Sequence, residues 1–346
     1  PPETGYLYQM TNIGQTTNKG LELILNGSII ERENFNLSSS FNISFNNNNI
    51  DDLGEQDFFL ESSGWNNDVG ADYIVMVGQP VGMMFGFVTD GYYTVDDFAW
   101  DSDLGEYVLN EGIADNSGIL FAGFGPGAVR FANLADPINP DGVVLPDGDK
   151  VTFEDDRVII GNSNPKHIGG CNIQATFWRF DASIFLNWVY GNDVYNANKI
   201  EFTSQYRKYT NLLSIMSMGQ RYRYINDEGL DVYNDPDALA ALNADASIWA
   251  PPQGRYLFHS WAVEDGSFLR VNNITLGYTL PPALTNRISI ERLRIYATGN
   301  NLFTFTNYSG FDPEVNTRRS TPLTPGVDYS AYPRSRALLV GINVTL

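Results

Sequence analysis

The sequence has very little of the chemistry that metalloproteins and most enzymes need. It contains one cysteine, Cys171, and two histidines, His167 and His259, among 346 residues. One cysteine cannot form a disulfide within the chain, and two histidines far apart in sequence do not make a histidine-rich metal site. Basic residues are also scarce, because 21 Lys and Arg stand against 41 Asp and Glu, for a net charge of −20. Such an acidic chain would repel phosphate, which argues against nucleic acid as a partner.

Long apolar segments and catalytic motifs are missing as well. No run of about 18 apolar residues occurs, so the sequence contains no candidate transmembrane helix. It also lacks a Gly-x-Ser-x-Gly elbow, a paired-histidine motif and a P-loop. A pair of catalytic carboxylates is compatible with so many acidic residues, but no spacing favours one. We therefore expect a protein that is not an enzyme.

Alternating polarity is what the sequence has in abundance. From residue 35 to residue 46, nearly all odd positions are apolar and all even positions are Asn or Ser. The same period of two recurs at 171–177, 180–190 and 338–346. A period of two is typical of β-strands with one apolar and one polar face. The fold class predicted from this pattern is all-β.

We predict about nine strands, at 18–31, 34–47, 70–78, 83–94, 167–177, 179–190, 267–280, 292–303 and 335–346. In the seventh, Leu269 and Val271 share one parity, whereas Ile274 and Leu276 share the other. A β-bulge near Asn272 and Asn273 would reset the phase.

The predicted connections alternate between short and long. The short ones lie at 31–34, 78–82, 178 and 281–291, and the long ones at 48–69, 95–166, 191–266 and 304–334. Transmembrane antiparallel β-barrels have this asymmetry, with short periplasmic turns and long extracellular loops. A soluble β-sandwich, the alternative, gives no reason to place every long loop at one end. An odd number of strands that begins within a loop predicts a portion of a barrel, since such barrels have even strand numbers.

The aromatic residues fit the dimensions of a membrane. Trp178 and Phe180 lie at one end of a predicted strand, and Trp188 and Tyr190 lie at the other. About ten residues at ~3.3 Å each span ~33 Å. A tilt of ~40° reduces this to ~25 Å, the height of the apolar band between two aromatic girdles.

The polar faces of the predicted strands would then line the lumen. The lumen-facing candidates are Asn36, Ser38, Ser40, Asn42, Asn172, Gln174, Thr176, Asp181 and Asn343.

Two kinds of binding residue can be proposed in the long loops. Clustered carboxylates near a Gly-assisted turn suit Ca²⁺, and the candidate ligands are Asp147, Asp149, Glu154, Asp155 and Asp156. The spacing of an EF-hand loop is not met, and a solvated turn is the alternative. Tyr195, Tyr206 and Trp261 are substrate-loop candidates that would stack on sugar rings or grip peptides, although packing within the loop is the alternative role for each.

Several short motifs occur in order along almost the whole chain. They are Asn12-Ile13-Gly14 with Asn18-Lys19-Gly20-Leu21-Glu22, Val77-Gly78-Gln79-Pro80, Asp147-Gly148-Asp149-Lys150, Ser267-Phe268-Leu269-Arg270-Val271-Asn272-Asn273, Ala297-Thr298-Gly299-Asn300-Asn301-Leu302, Gly310-Phe311-Asp312-Pro313-Glu314 and Tyr332-Pro333-Arg334-Ser335-Arg336. Together these motifs resemble the SusC/RagA family of TonB-dependent outer-membrane transporters. The family usually ends in Phe, and Leu346 stands there instead.

The resemblance implies that residues 1–346 are the C-terminal segment of a barrel of about 22 strands. It implies that a plug domain and the N-terminal strands lie outside this chain. It also implies a SusD-like surface lipoprotein as a lid, a dimer of such pairs, and energy from TonB acting on the missing part. The function expected is import of an oligosaccharide or oligopeptide across a Gram-negative outer membrane. The alternatives are a soluble carbohydrate-binding or glycan-degrading β-protein, or a barrel component of a larger outer-membrane complex.

Overall fold

The computed structural model describes residues 14–66, 69–120, 123–134, 150–317 and 321–346. Its main element is a seven-stranded antiparallel sheet in which each strand pairs with the next along the chain. The strands are β1 (Gln15–Arg32), β2 (Phe35–Asp52), β3 (His167–Phe177), β4 (Phe180–Tyr190), β5 (Phe268–Thr279), β6 (Arg292–Thr306) and β7 (Ala337–Thr345). This meander is the strand order of an up-and-down barrel wall, and it confirms the predicted fold class.

Two of the nine predicted strands, at 70–78 and 83–94, are not part of this wall. The residues there form shorter strands, Tyr73–Met76 and Met83–Phe87, which pair with each other and with Phe58–Glu61 and Arg157–Asn162 in a separate four-stranded sheet. Most of their side chains are buried on both faces. A continuous apolar run is typical of such a strand, whereas a barrel strand alternates, and the prediction overlooked this difference.

Without those two strands, the alternation of connections becomes stronger. The wall strands are joined by short segments at 33–34, 178–179 and 280–291, and by long ones at 53–166, 191–267 and 307–336. All three long connections lie at the same end of the strands, because consecutive strands run in opposite directions. The predicted asymmetry between the two ends of the barrel is therefore confirmed.

The predicted bulge is also present. Val271 pairs with Leu186 and Asn273 pairs with Phe185, so Asn272 has no partner in β4. The pairing with β6 shifts at the same place. The extra residue returns Ile274 and Leu276 to the face that carries Leu269, and this keeps the apolar face continuous.

The two faces of the sheet differ sharply in chemistry. One face, which we call the outward face, carries the apolar positions of all strands, and many of these side chains are exposed. Leu338 is 82% exposed, Val340 80% and Leu276 61%. The row of this face nearest the short connections consists of Phe35, Phe177, Phe180 and Tyr278, which are opposite one another on neighbouring strands.

The long connections fold into a packed body at one end of the sheet. Their strands are Phe58–Glu61, Tyr73–Met76, Met83–Phe87, Thr89–Tyr92, Phe98–Asp101, Glu106–Leu109, Val129–Phe131, Arg157–Asn162, Asp193–Asn196, Val263–Asp265 and Val327–Asp328. Their helical segments are Val95–Asp97, Ser117–Leu120, Ala197–Glu201, Ser214–Met216, Pro236–Leu242 and Ser260–Ala262, while Pro282–Thr285 and Asn286–Ile288 lie in a short connection.

This packed body has apolar cores of its own. One cluster joins Phe87 and Phe131 of the first long connection to Trp249 and Leu257 of the second. A second, separate cluster includes Val327 of the third long connection. Among the described residues, no helix has the length and apolar character needed to cross a membrane.

A close approach of two strands makes Gly169 and Gly170 differ in their tolerance of a side chain. A Cβ at Gly169 would lie 2.2 Å from Trp188 and 2.6 Å from the Asn42 carbonyl oxygen, whereas at Gly170 the nearest atom is 3.4 Å away. We predict that Gly169→Ala lowers the free energy of unfolding by about 1–3 kcal/mol through overpacking. Gly170→Ala is the matched control and should change it by less than ~1 kcal/mol. Urea unfolding of the protein in detergent measures both, and equal effects would contradict the register.

Candidate functional site

The polar face of the sheet collects all nine residues that the sequence analysis expected to line a lumen. Thr176 is opposite both Asn36 and Asp181, Gln174 is opposite Ser38, and Asn172 is opposite Ser40. Residues that are directly opposite in a sheet share a face. Asn42, two residues from Ser40, and Asn343, opposite Arg294, lie on the same face. The lumen-facing role itself remains a prediction.

Hydrogen bonds between strands occupy part of this polar face. The Asn36 side-chain amide donates to Thr176 at 3.3 Å, and the Asn273 side-chain amide donates to Asn300 at 2.7 Å. Such cross-strand pairs fix the orientation of short polar side chains. The amide and hydroxyl groups that remain can exchange hydrogen bonds with a polar solute.

Asp181 makes an ion pair that crosses a strand. The guanidinium of Arg294 donates to both carboxylate oxygens of Asp181, with Nε 2.8 Å from Oδ1. The two side chains meet above Gly277, where any Cβ would lie 2.5 Å from both of them. The sequence analysis identified Asp181 but missed Arg294. Its parity with the polar Thr298 and Asn300 could have revealed it.

A buried charge network fastens the third long connection to the wall. Arg270 of β5 is 1% exposed and donates to both oxygens of Asp312, at 3.2 and 2.5 Å. Arg334 then donates to Glu314 at 2.9 Å. Burial alone would raise the pKa of Asp312, but the hydrogen bonds from Arg270 and from the Glu314 amide lower the pKa overall. Asp312 is therefore ionised and pairs with a buried cation.

The three long connections are also tied to one another. The Tyr73 hydroxyl donates to the Pro325 carbonyl at 2.6 Å, and the indole of Trp65 donates to the Tyr195 hydroxyl. Glu264 accepts from the Ser309 amide at 2.9 Å and forms an ion pair with Lys199 at 3.4 Å. These bonds join each connection to the other two, so the loops form one interlocked assembly.

The three predicted substrate-loop residues have different environments. Tyr195 is 0% exposed, and the prediction that it contacts substrate is wrong because it packs against Trp65 and Phe258. The ring of Trp261 is half-buried and is contacted by Lys199 at 4.0 Å and by Trp249. Tyr206 is 40% exposed and retains an accessible ring. Of the three, Tyr206 therefore fits a binding role best.

The acidic segment is described only in part. Asp147 and Asp149 lie outside the described residues. Asp156 is buried and accepts hydrogen bonds from the amides of Leu134 and Thr152, both at 2.7 Å, so it organises the loop backbone. Glu154 and Asp155 are exposed. In the ranges that the structure covers, no three potential ligands form a metal-binding group, and the calcium site remains a prediction.

Known proteins resemble this chain over its whole length. "TonB-dependent receptor P3" of Formosa agariphila is 28% identical over 349 residues, which is 99% of this chain and 30% of that protein. "TonB-dependent receptor SusC" of Bacteroides thetaiotaomicron is 24% identical over 99% of this chain and 28% of its own length. The chain thus spans about 30% of the length of the curated relatives it matches. No family model matches the sequence.

The fold has matches among solved structures. The RagAB peptide importer in its closed-closed state matches with a TM-score of 0.65 and 19% identity, over 99% of this chain and 31% of the other. The open-open state of the same importer matches with a TM-score of 0.64 and 18% identity. Both confirm the fold as a portion of such a barrel.

The charge network predicts which substitutions loosen the loop assembly. Asp312→Asn removes the carboxylate that the buried Arg270 hydrogen-bonds and leaves only the longer contact with Glu314 at 3.8 Å. Losing one partner of a buried pair costs about 3–5 kcal/mol. We predict that amide hydrogen exchange in residues 307–317 and 321–334 becomes faster by about a hundredfold or more. The control is Asp227→Asn, because Asp227 pairs with Arg223 but its side chain is 88% exposed. The control should change exchange by less than about fivefold, and equal effects would exclude the network as a fastener.

A buried histidine predicts how the assembly responds to pH. His259 contacts the Thr89 hydroxyl through Nδ1 at 2.7 Å, and burial, assisted by Lys199, lowers its pKa to about 3. In the unfolded chain the imidazole of His259 has its ordinary pKa of about 6.5. Below that pH it binds a proton in the unfolded chain but not in the folded protein. Wild type should therefore lose about 2 kcal/mol more stability than His259→Gln between pH 7 and pH 5.

Urea unfolding followed by tryptophan fluorescence measures this difference, because Trp249 and Trp261 flank His259. Asp72 acts in the opposite direction, since burial raises its pKa to about 6 and it gains stability as the pH falls. Asp72 is present in both proteins, so its contribution cancels in the comparison. Identical pH profiles would contradict a neutral, buried His259.

Proposed function

We propose that this chain forms part of the barrel wall and the extracellular loops of an outer-membrane nutrient importer. The reason is that the chain is SusC/RagA-like and is related in sequence and fold to TonB-dependent receptors. The observation that carries the proposal is the contrast between the two faces of one sheet. The outward face is apolar and exposed, the other face is polar, and the loop assembly stands at one end.

Lipid is the environment that the outward face fits. Soluble monomers rarely expose continuous apolar patches larger than a few hundred Å², whereas here exposed Leu, Val, Ile and Phe side chains extend across the strands of the sheet. Outward positions between the aromatic rows of the described sheet carry no Lys, Arg, Asp or Glu. A cation at the bilayer centre would cost about 2–4 kcal/mol, so this composition supports a membrane location.

Transport, rather than catalysis, is the activity we assign. The relatives are named as receptors and a transporter. The polar face would line the path of a cargo rich in hydrogen-bonding groups, an oligosaccharide or an oligopeptide. Tyr206, exposed at the edge of the loop assembly, would contact it first.

The proposed machine includes parts outside this chain. A plug domain and further strands would complete the barrel, and TonB would supply energy through the plug. The interlocked loops would contact a SusD-like lipoprotein lid, in a dimer of such pairs.

We also propose Ca²⁺ at the acidic segment, where Glu154 and Asp155 are exposed. Calcium titration by calorimetry tests that site, and no binding in the millimolar range would exclude it.

Membrane fractionation tests the transport proposal against a soluble carbohydrate-active β-protein. We expect the protein to stay in the membrane pellet through carbonate and high salt, and to be released only by detergent. Release without detergent would favour the soluble alternative.

Neighbouring residues of β3 allow a sharper test. Ile173 lies on the outward face at mid-height, and Gln174 lies on the polar face beside it. We predict that Ile173→Arg lowers the free energy of unfolding in phospholipid vesicles by about 2–4 kcal/mol, because the cation would face lipid. Gln174→Arg should cost less than ~1 kcal/mol. Unfolding by guanidinium measures both, and a larger cost at Gln174 would reverse the assignment of faces.

A further inference from the structure

A groove interrupts the outward face near the end with the short connections. Its volume is about 490 Å³, and its lining is almost entirely apolar. Ala175, Ala182 and Ala297 form its floor, and Phe177, Phe180 and Ile295 are among the larger side chains around them.

The register explains why a groove forms here. Ala175 is opposite Ala182, Ala182 is opposite Leu276, and Leu276 is opposite Ala297, so one row across four strands contains three alanines. The next row towards the short connections contains Phe177, Phe180, Tyr278 and Ile295. The missing side-chain volume of the alanine row leaves a channel above a ridge of large residues.

A polar depression continues this groove at the rim of the sheet. It is lined by Asn34, Trp178, Arg179, Phe180 and Tyr278 and shares the last two with the groove. Arg179 is exposed, and its guanidinium spends one hydrogen bond on the Leu280 carbonyl at 3.3 Å. Trp178 has a φ of 54° in this tight turn, and its ring is 70% exposed.

Charge also distinguishes the two cavities from the rest of the surface. Arg179 is the charged residue of the rim depression. Asp181 borders the groove, but it belongs to the polar face and pairs with Arg294. A cation without a carboxylate partner in its cavity thus stands at the end of an apolar groove, in a chain whose net charge is −20.

We propose that these joined cavities bind one anionic phospholipid of the periplasmic leaflet. The inference rests on the proposed membrane function, which places this end of the sheet at the periplasmic surface. An acyl chain lies in the alanine groove, where Phe177, Phe180 and Ile295 give it van der Waals contacts that a flat sheet face would not. The headgroup phosphate accepts charge-assisted hydrogen bonds from Arg179, and Trp178 lies at the depth where indole rings favour the headgroup boundary.

The shape and the charge favour a lipid over a protein partner. The backbone groups of β3 to β6, which line most of the groove, are paired on both sides within the sheet, so another strand has no free edge to pair with there. A cation at headgroup depth complements a phosphate, and each such residue near an anionic surface is worth about 1 kcal/mol.

Native mass spectrometry of the intact receptor, released from nanodiscs of equal phosphatidylglycerol and phosphatidylethanolamine, tests the site. We expect wild type to retain one phosphatidylglycerol with about fivefold preference. Ala182→Trp, and independently Ala297→Phe, fill the groove and should abolish retention. Arg179→Gln should retain a lipid but lose the preference. Two controls lie away from the groove and should match wild type. Leu23→Trp changes an outward position, and Arg287→Gln changes an exposed arginine.

Two results would overturn the site. One is equal retention of the two lipids by wild type, and the other is retention that survives both groove-filling variants. Each variant is also checked for detergent-dependent release from membranes. Loss of that property in wild type would refute the membrane function itself, whereas normal insertion without selective retention refutes the lipid site alone.

Discussion

The structure depends on the requirement that a single layer of β-strands satisfy two different environments at once. Side chains alternate across a strand, so a period of two in the sequence creates an apolar and a polar face without a second layer to cover either. This explains why Leu276, on a strand that is paired on both sides, is 61% exposed in a sheet with regular hydrogen bonding. It also explains the bulge at Asn272, which restores the phase that one extra residue would otherwise invert.

The long connections solve a different problem. Their backbone polar groups must be paired when they are buried. The connections build apolar cores and form hydrogen bonds such as that from Tyr73 to Pro325. The Arg270–Asp312 pair then joins this body to the wall. Both ends of that bond are buried, so the position of the third connection depends on it. A rigid loop body at the mouth of a barrel is suited to holding recognition groups and a partner surface.

The sequence was sufficient to predict the parts that depend on local periodicity. The wall strands, the bulge and the sided arrangement of the connections follow from the alternation in segments such as 35–46 and 171–177. Tyr73–Met76 and Met83–Phe87 were misassigned because their continuous apolar runs were interpreted as barrel strands, although loop residues far along the chain bury them. Tyr195 was misjudged for the same reason, since Trp65 and Phe258 bury it from far along the chain. Arg294 and Arg270 were missed, although their parity with polar neighbours was available.

The central claim is that the apolar side of the sheet contacts lipid and the polar side contacts water. Spin labels placed one at a time at positions 171–177 of the protein in a bilayer, with Cys171→Ser as the background for the other sites, test it most directly. Collisions with oxygen report lipid, and collisions with a water-soluble nickel chelate report solvent. We expect high oxygen accessibility at 171, 173, 175 and 177 and high nickel accessibility at 172, 174 and 176. Low accessibility to both reagents at the odd positions would contradict it, because those side chains would then be buried against protein.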